Sequence, residues 1–205
     1  MDKNIEIEIR GPLSKEEFEN LARFFEINGK KKSEKDRVLI DYSTFLDGGV
    51  ENRKKDIRLR VTNGMPEIIV KIGEWGGNEQ RKELSVFAKE GEFDTLVEIF
   101  GELGYGKGIL CVRKSKVYDY KNIEFALVEV PNHSYYYEAE KMASSVENGN
   151  MLMQEIENVC KELNLKIFDK KDFFDYIEKL NKESNEVFEY KNFTSNYFKN
   201  RFGLK

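Results

Sequence analysis

In the stretch NIEIEIRGP, Glu6, Glu8 and Arg10 alternate with Ile5, Ile7 and Ile9. A period of two is that of a β-strand with one charged and one apolar face. The pattern recurs along the chain. Arg58 and Arg60 share a face in DIRLRV, and Lys71 follows the apolar run IIV. Arg81, Glu83 and Ser85 share a face in QRKELSV, as do Arg113 and Ser115 in CVRKSKVY. Glu138 and Glu140 do so in YYYEAEKM, with Tyr136 ahead of them. These faces are mostly arginine and glutamate, where a solvated sheet face would carry more Thr, Ser, Asn and Gln. Burying unpaired charge is costly, so charged faces turned inward would need a matching ligand. Arginine and lysine suit phosphate oxygens through charge-assisted hydrogen bonds. Clustered carboxylates suit a hard divalent cation such as Mg²⁺ or Mn²⁺. Together they describe a site for a metal–polyphosphate complex.

The elements that would position these groups are largely strands. Alternation and turn signals predict strands at 4–10, 36–42, 56–62, 67–73, 80–87, 110–119, 122–130 and 134–140. Helices are predicted from Ser14, where S-x-x-E forms a capping box with Glu17, over EFDTLVEIFGELGY, and at about 150–163 and 170–183. Most strands follow one another with no helix between. The fold class is therefore α+β with a largely antiparallel sheet and added helices. The charge-rich stretches KKKSEKD and ENRKKD read as solvated loops, and Trp75 in GEWGGN as a loop residue, with a lid over the site as the alternative. His133 reads as a surface turn residue. The amphipathic segment 165–192 reads as a helical appendage that covers the ring or serves a partner subunit, which leaves a homodimer open.

Bulk properties narrow the function. A chain of 205 residues with net charge −4 suits one domain, 1–205, and shows no basic character that would draw nucleic acid. No apolar run approaches the roughly 20 residues of a membrane span, and no signal-peptide core opens the sequence. The two cysteines, Cys111 and Cys160, read as reduced packing residues of a cytoplasmic protein. A single histidine excludes a His-rich zinc site. GYGKGI lacks the residue order of a phosphate-binding P-loop.

The motifs in order resemble the CYTH superfamily, or triphosphate tunnel metalloenzymes. That group includes class IV adenylate cyclases, thiamine triphosphatases and inorganic triphosphatases. The marks are EIEIR for E-x-E-x-K, then IDY at 40–42, RLR at 58–60, VK at 70–71 and RKE at 81–83. LGY at 103–105, VRKSKVY at 112–118, EAE at 138–140 and the terminal SNYFKNRFG follow. The resemblance implies a closed antiparallel barrel of about eight strands with flanking helices and a charged tunnel. It implies Glu6, Glu8 and Glu140, with Glu138, as metal ligands for Mg²⁺ or Mn²⁺. Glu6, Glu8 and Arg10 would be catalytic. Arg58, Arg60, Lys71, Arg81 and Arg113 would hold phosphates, with Lys114 or Lys116 compensating for Ser115 if the strand bulges. Glu83 and Glu129 would support the site. Three positions depart from the family pattern: Arg10 stands for a lysine, Ser115 for a second base and Val128 for an acid. The implied activity is hydrolysis of an inorganic or organic triphosphate. The alternatives are a class IV-type cyclase, with Tyr42, Phe45 or Tyr136 stacking the base, and a binding module with impaired turnover.

Overall fold

The structure is a computed structural model. It describes residues 5–46, 53–76 and 78–204, the side chains of 146 and 147 excepted. The strands are β1 (Ile5–Leu13), β2 (Lys30–Asp41), β3 (Lys55–Thr62), β4 (Met65–Ile72), β5 (Asn78–Phe87), β6 (Lys107–Tyr120), β7 (Ile123–Val130), β8 (Ser134–Ala143) and β9 (Glu186–Glu189). The helices are α1 (Lys15–Asn28), α2 (Phe93–Glu102), α3 (Val146–Glu162), α4 (Lys170–Glu183) and α5 (Tyr197–Phe202). The strands run in the order β2-β3-β4-β5-β1-β8-β7-β6-β9, and β2 also pairs with β6. That last pairing closes eight antiparallel strands into a ring, leaving β9 attached to β6.

The alternation decides which side faces in. Ile5, Ile7 and Ile9 turn outward and pack with Phe18, Leu21 and Phe25 of α1 and with Ile156 and Val159 of α3. Val38, Ile40, Leu59 and Val61 turn outward under Phe93, Leu96, Val97 and Phe100 of α2, with Phe188 and Phe198 completing this second core. The apolar strand faces thus meet helices, and the charged faces are left to line the ring. Local signals place the helices. Ser14 and Glu17 form the expected reciprocal cap of α1. Gly104 follows α2 at φ +94, and the amides of Gly104 and Tyr105 donate back to the carbonyls of Gly101 and Phe100.

The segment after α3 covers one mouth of the ring. Phe173 and Phe174 of α4 pack with Phe168 against Trp75, which is buried rather than a free loop residue. The backbone amide of Phe168 donates to the Arg10 carbonyl at 2.9 Å, and the Tyr137 hydroxyl donates to the Lys166 carbonyl at 3.1 Å. Gly11 makes this approach possible. A Cβ there would lie 1.8 Å from the Lys166 carbonyl oxygen and 2.5 Å from the Tyr137 ring. Gly11→Ala is therefore expected to cost about 1–3 kcal/mol or more and to loosen 166–183, read as a lower thermal midpoint and faster proteolysis within that segment.

The two charge-rich stretches differ from the loop reading. Lys30–Asp36 is the largely exposed first half of β2, because its backbone completes the ladder with β6 while most of its side chains stay solvated. Of ENRKKD, Glu51 and Asn52 lie outside the described residues. Arg53 and Asp56 are buried, since each finds opposite charge in the ring wall. No helix among the described residues is long and apolar enough to cross a membrane.

Candidate active site

A cavity of about 120 Å³ inside the ring gathers most of the sequence-predicted residues. Glu6, Glu8, Arg10, Arg58, Arg60, Lys71, Glu83, Glu138 and Glu140 all line it. Three further charged residues on its wall, Lys35, Arg37 and Glu124, are not foreseen by the motifs. Arg37 shares a face with Leu39 and Asp41 at the end of a charge run that hides the strand period. Glu124 alternates with Ile123, Phe125 and Leu127, an ordinary outward-apolar signal that points it inward.

The register sorts these charges onto two walls. On one side Glu8 lies opposite Glu140, and Glu140 opposite Glu124, across β1, β8 and β7. Neighbouring strands lie about 4.8 Å apart, so three carboxylates are level with one another. On the other side Arg37 of β2 lies directly opposite Arg113 of β6, and Arg58 and Arg60 follow on β3. Like charges directly opposite are destabilising without a counter-ion.

Ion pairs occupy some groups and leave others free. Arg10 donates to Glu8, to Glu79 at 2.9 Å and to Glu138 at 3.3 Å. Lys71 pairs with Glu6 and lies 3.1 Å from Glu83. Arg58 grips Asp56 with two nitrogens, and Arg60 donates to Glu67 at 3.0 Å. Arg81 is buried between Asp56 and Glu79 and lines neither cavity of the ring. Arg37 and Arg113 have no carboxylate partner among the described residues. Arg37 donates only to the Thr62 hydroxyl at 3.3 Å, and Arg113 to the Asn185 side chain at 2.9 Å and the Val112 carbonyl.

The proton affinities follow this layout. Burial raises the Glu8 carboxyl, but Arg10, Lys71 and Arg81 outweigh it and hold it down at about 2. Burial and the facing carboxylates of Glu8, Glu6 and Glu138 push Glu140 well above the usual carboxylate range. Glu6 is also raised, by burial and by Glu8, with Lys71 opposing. Burial and the neighbouring Arg60 lower Arg37 from the usual arginine range.

A second cavity, about 100 Å³, adjoins the first under α4. Arg10, Arg37, Arg58, Ser115 and Glu138 face both cavities and form the divide. Arg113 lines only the second, with Cys111, Val128, Tyr136 and Tyr176. Of the base-stacking candidates, Tyr42 is core, stacked on Phe100, and Phe45 is exposed beside Lys107. Tyr136 faces the second cavity.

One residue expected to bind phosphate, Lys114, and one expected to support the site, Glu129, do not reach the ring's interior. β6 keeps an unbroken register against β7 from Lys114 to Tyr120, and the shift between β2 and β6 falls at Lys31/Ser33. No bulge therefore turns Lys114 inward. It lies opposite Glu129, and both line a separate outer groove. His133 ties β8 to α4 through Glu183 at 3.0 Å.

The donor set bears on the fit of a divalent cation. Glu6, Glu124, Glu138 and Glu140 with Glu8 supply hard oxygen donors to one cavity, and the raised proton affinity of Glu140 marks an excess of negative charge there. Among the described residues no group of three or more such side chains stands ready-made as a metal cluster. Glu6 and Glu8 are turned to Lys71 and Arg10 instead.

No family model matches the sequence, and no curated protein matches it. Solved structures do. The PH1819 protein of Pyrococcus horikoshii is 17% identical, with a TM-score of 0.68 over 85% of this chain and 98% of that one. A Vibrio parahaemolyticus protein described as a candidate adenylate cyclase is 13% identical, with a TM-score of 0.60 over 80% and 90%. A Hippeastrum protein described as a candidate adenylyl cyclase revealing a dominant triphosphatase activity is 15% identical, with a TM-score of 0.52 over 98% and 97%. The motif order and the likeness in three dimensions agree: this chain has the CYTH, or triphosphate tunnel, fold.

Proposed function

We propose that the chain binds a triphosphate along the ring's interior and hydrolyses a phosphoanhydride bond with the help of a divalent cation, Mg²⁺ or Mn²⁺. The observation that carries this reading is the facing of Arg37, Arg58 and Arg60 by Glu8, Glu140 and Glu124 across one cavity, with Arg113 beside them in the adjoining one. Arg37 and Arg113, without a carboxylate partner among the described residues, would take phosphate oxygens directly. Arg58 and Arg60 would add charge from positions fixed by Asp56 and Glu67. Glu6, Glu8, Glu138, Glu140 and Glu124 would hold the cation, which when bound would neutralise phosphate charge and acidify a nearby water. Arg10, held by three carboxylates, positions Glu8 and Glu138 more than it reaches for phosphate. Lys71 does the same for Glu6 and Glu83.

The test is a panel of inorganic tripolyphosphate and nucleoside triphosphates with Mg²⁺ or Mn²⁺, following phosphate, pyrophosphate and cyclic nucleotide together. Released phosphate is the expected product. Cyclic AMP as the main product from ATP would replace hydrolysis by the cyclase reading. Binding without product would support the impaired module. Glu140→Gln is expected to lower turnover about 10- to 100-fold or more. Its thermal midpoint should hold or rise, because an amide relieves the crowding of carboxylates around it.

A further inference from the structure

The helices leave one strip of the ring's outer wall bare. Lys71 and Glu83 turn into the ring, so by alternation Ile68, Val70, Ile72, Leu84 and Val86 turn out of it. The register sets Ile68 beside Val86 and Val70 beside Leu84, which makes one apolar face. Ile68 touches the edge of the core under α2. Val70, Ile72, Leu84 and Val86 join neither of the cores that α1, α2 and α3 cover. Ile72, Leu84 and Val86 are 41, 48 and 59% exposed. A contiguous apolar strip with polar ends is the pattern of an interaction surface. Charge is sorted along it. Lys55 and Lys82 flank Ile72 at one end. At the other end Glu90 reaches the β3–β4 turn, where a Cβ on Gly64 would lie 3.5 Å from its carboxylate, and Glu92 precedes α2 with Lys89 nearby. Lys55, Lys82, Glu90 and Glu92 are exposed and have no ion-pair partner among the described residues.

We propose that this strip is the interface of a homodimer, in which a second copy packs its own β4–β5 face against it. The charge pattern selects that occupant, because the strip is complementary to itself. In a twofold dimer one patch serves both subunits. A twofold axis lying in the interface and crossing the strands at Val86 sets β5 against its mate, running the opposite way. That operation carries the lysine end of one copy onto the glutamate end of the other, so Lys82 meets Glu90 of the partner subunit, twice over. An axis along the strands would oppose lysine to lysine, so the charges also choose the arrangement. Sheets packed face to face keep their strands aligned within about 30° and lie about 10 Å apart, a gap that Leu84 and Val86 of both copies fill. The other candidate for a partner, the segment after α3, is already occupied at the mouth of the ring.

Sedimentation velocity of the full chain across the micromolar range tests this. The wild type is expected to run as a dimer that dissociates on dilution. Leu84→Glu and Val86→Glu, exposed changes that touch neither core, should each weaken it about tenfold or more. Lys82→Glu and Glu90→Lys should each weaken it about fivefold. The double variant carrying both charge changes should regain the wild-type affinity. A monomer at every concentration overturns the proposal, as does a dimer indifferent to both apolar changes. A double variant no tighter than its single parents overturns the arrangement that selects a second copy, and the proposal with it. The wild-type mass and the charge exchange decide if the apolar variants fail to fold. Mass is read without turnover, so the outcome is independent of the triphosphate reading.

Discussion

Asp56→Ala is expected to destabilise the protein by about 3–5 kcal/mol, measured by denaturant unfolding. Asp56 is buried and accepts from both forks of Arg58 and from Arg81 at 3.0 Å, with Arg53 at 3.5 Å. Its loss strands Arg58, which has no other carboxylate contact among the described residues, while Arg53 keeps Asp41 and Arg81 keeps Glu79. The effect has a pH signature. Burial raises Asp56, but the three arginines outweigh it and hold it far below the usual carboxylate range. A group lowered on folding stabilises the fold fully above its unfolded value, about 3.9. That contribution is lost as pH falls from there toward the folded value. The variant should therefore lose less stability than the wild type between pH 5 and pH 2, both taken as about those values. An equal acid dependence in the two proteins would show that Asp56 does not carry this linkage.

Arg37→Met is expected to do the reverse: to remove function and spare the fold. Arg37 faces both cavities, has no carboxylate partner among the described residues and lies opposite Arg113. Losing one preorganised donor to developing phosphate charge costs about 100- to 1,000-fold in turnover. Stability should be unchanged or higher, because a crowded cation is replaced by an apolar chain of similar length. Its folded proton affinity is lowered by burial and by Arg60, the direction expected of a charge held without compensation. Thermal unfolding and triphosphate turnover of the same preparation test both halves. A large fall in stability would place Arg37 in the scaffold instead. Arg37→Lys, which keeps charge but loses the planar fork, should recover part of the activity.

The contrast between these two residues shows what the sequence discloses. Alternation exposed Glu6, Glu8, Arg58, Arg60 and Glu138 because each sits between outward apolar neighbours, and Glu140 because it continues the Glu138 face. Ring closure followed from the inward turn of those faces together with the family resemblance. Asp56 was hidden in KKD, where adjacent charges mask its place on the Arg58 face. Arg37 was hidden the same way in EKDRVLID. In both, a solvated stretch runs without a break into a buried strand, and composition cannot mark where one becomes the other. Lys114 and Glu129 failed for the opposite reason. The motif asked for a base and an acid near those positions, but a period of two cannot bring a neighbour to the same face without a bulge. Arg81 carries the right charge in the right place, yet Asp56 and Glu79 spend it on the wall. Pairing of that kind is set by three-dimensional neighbours that no single strand reveals.

The placement of arginines on β6, β2 and β3 against glutamates on β1, β8 and β7 has an electrical consequence. Opposite charge therefore stands on the two flanks of the first cavity, while the second, under α4, has Arg10, Arg37, Arg58 and Arg113 against only Asp41 and Glu138 among the described residues. An anion in the bore would be drawn sideways toward the arginines and also along the axis toward the covered mouth.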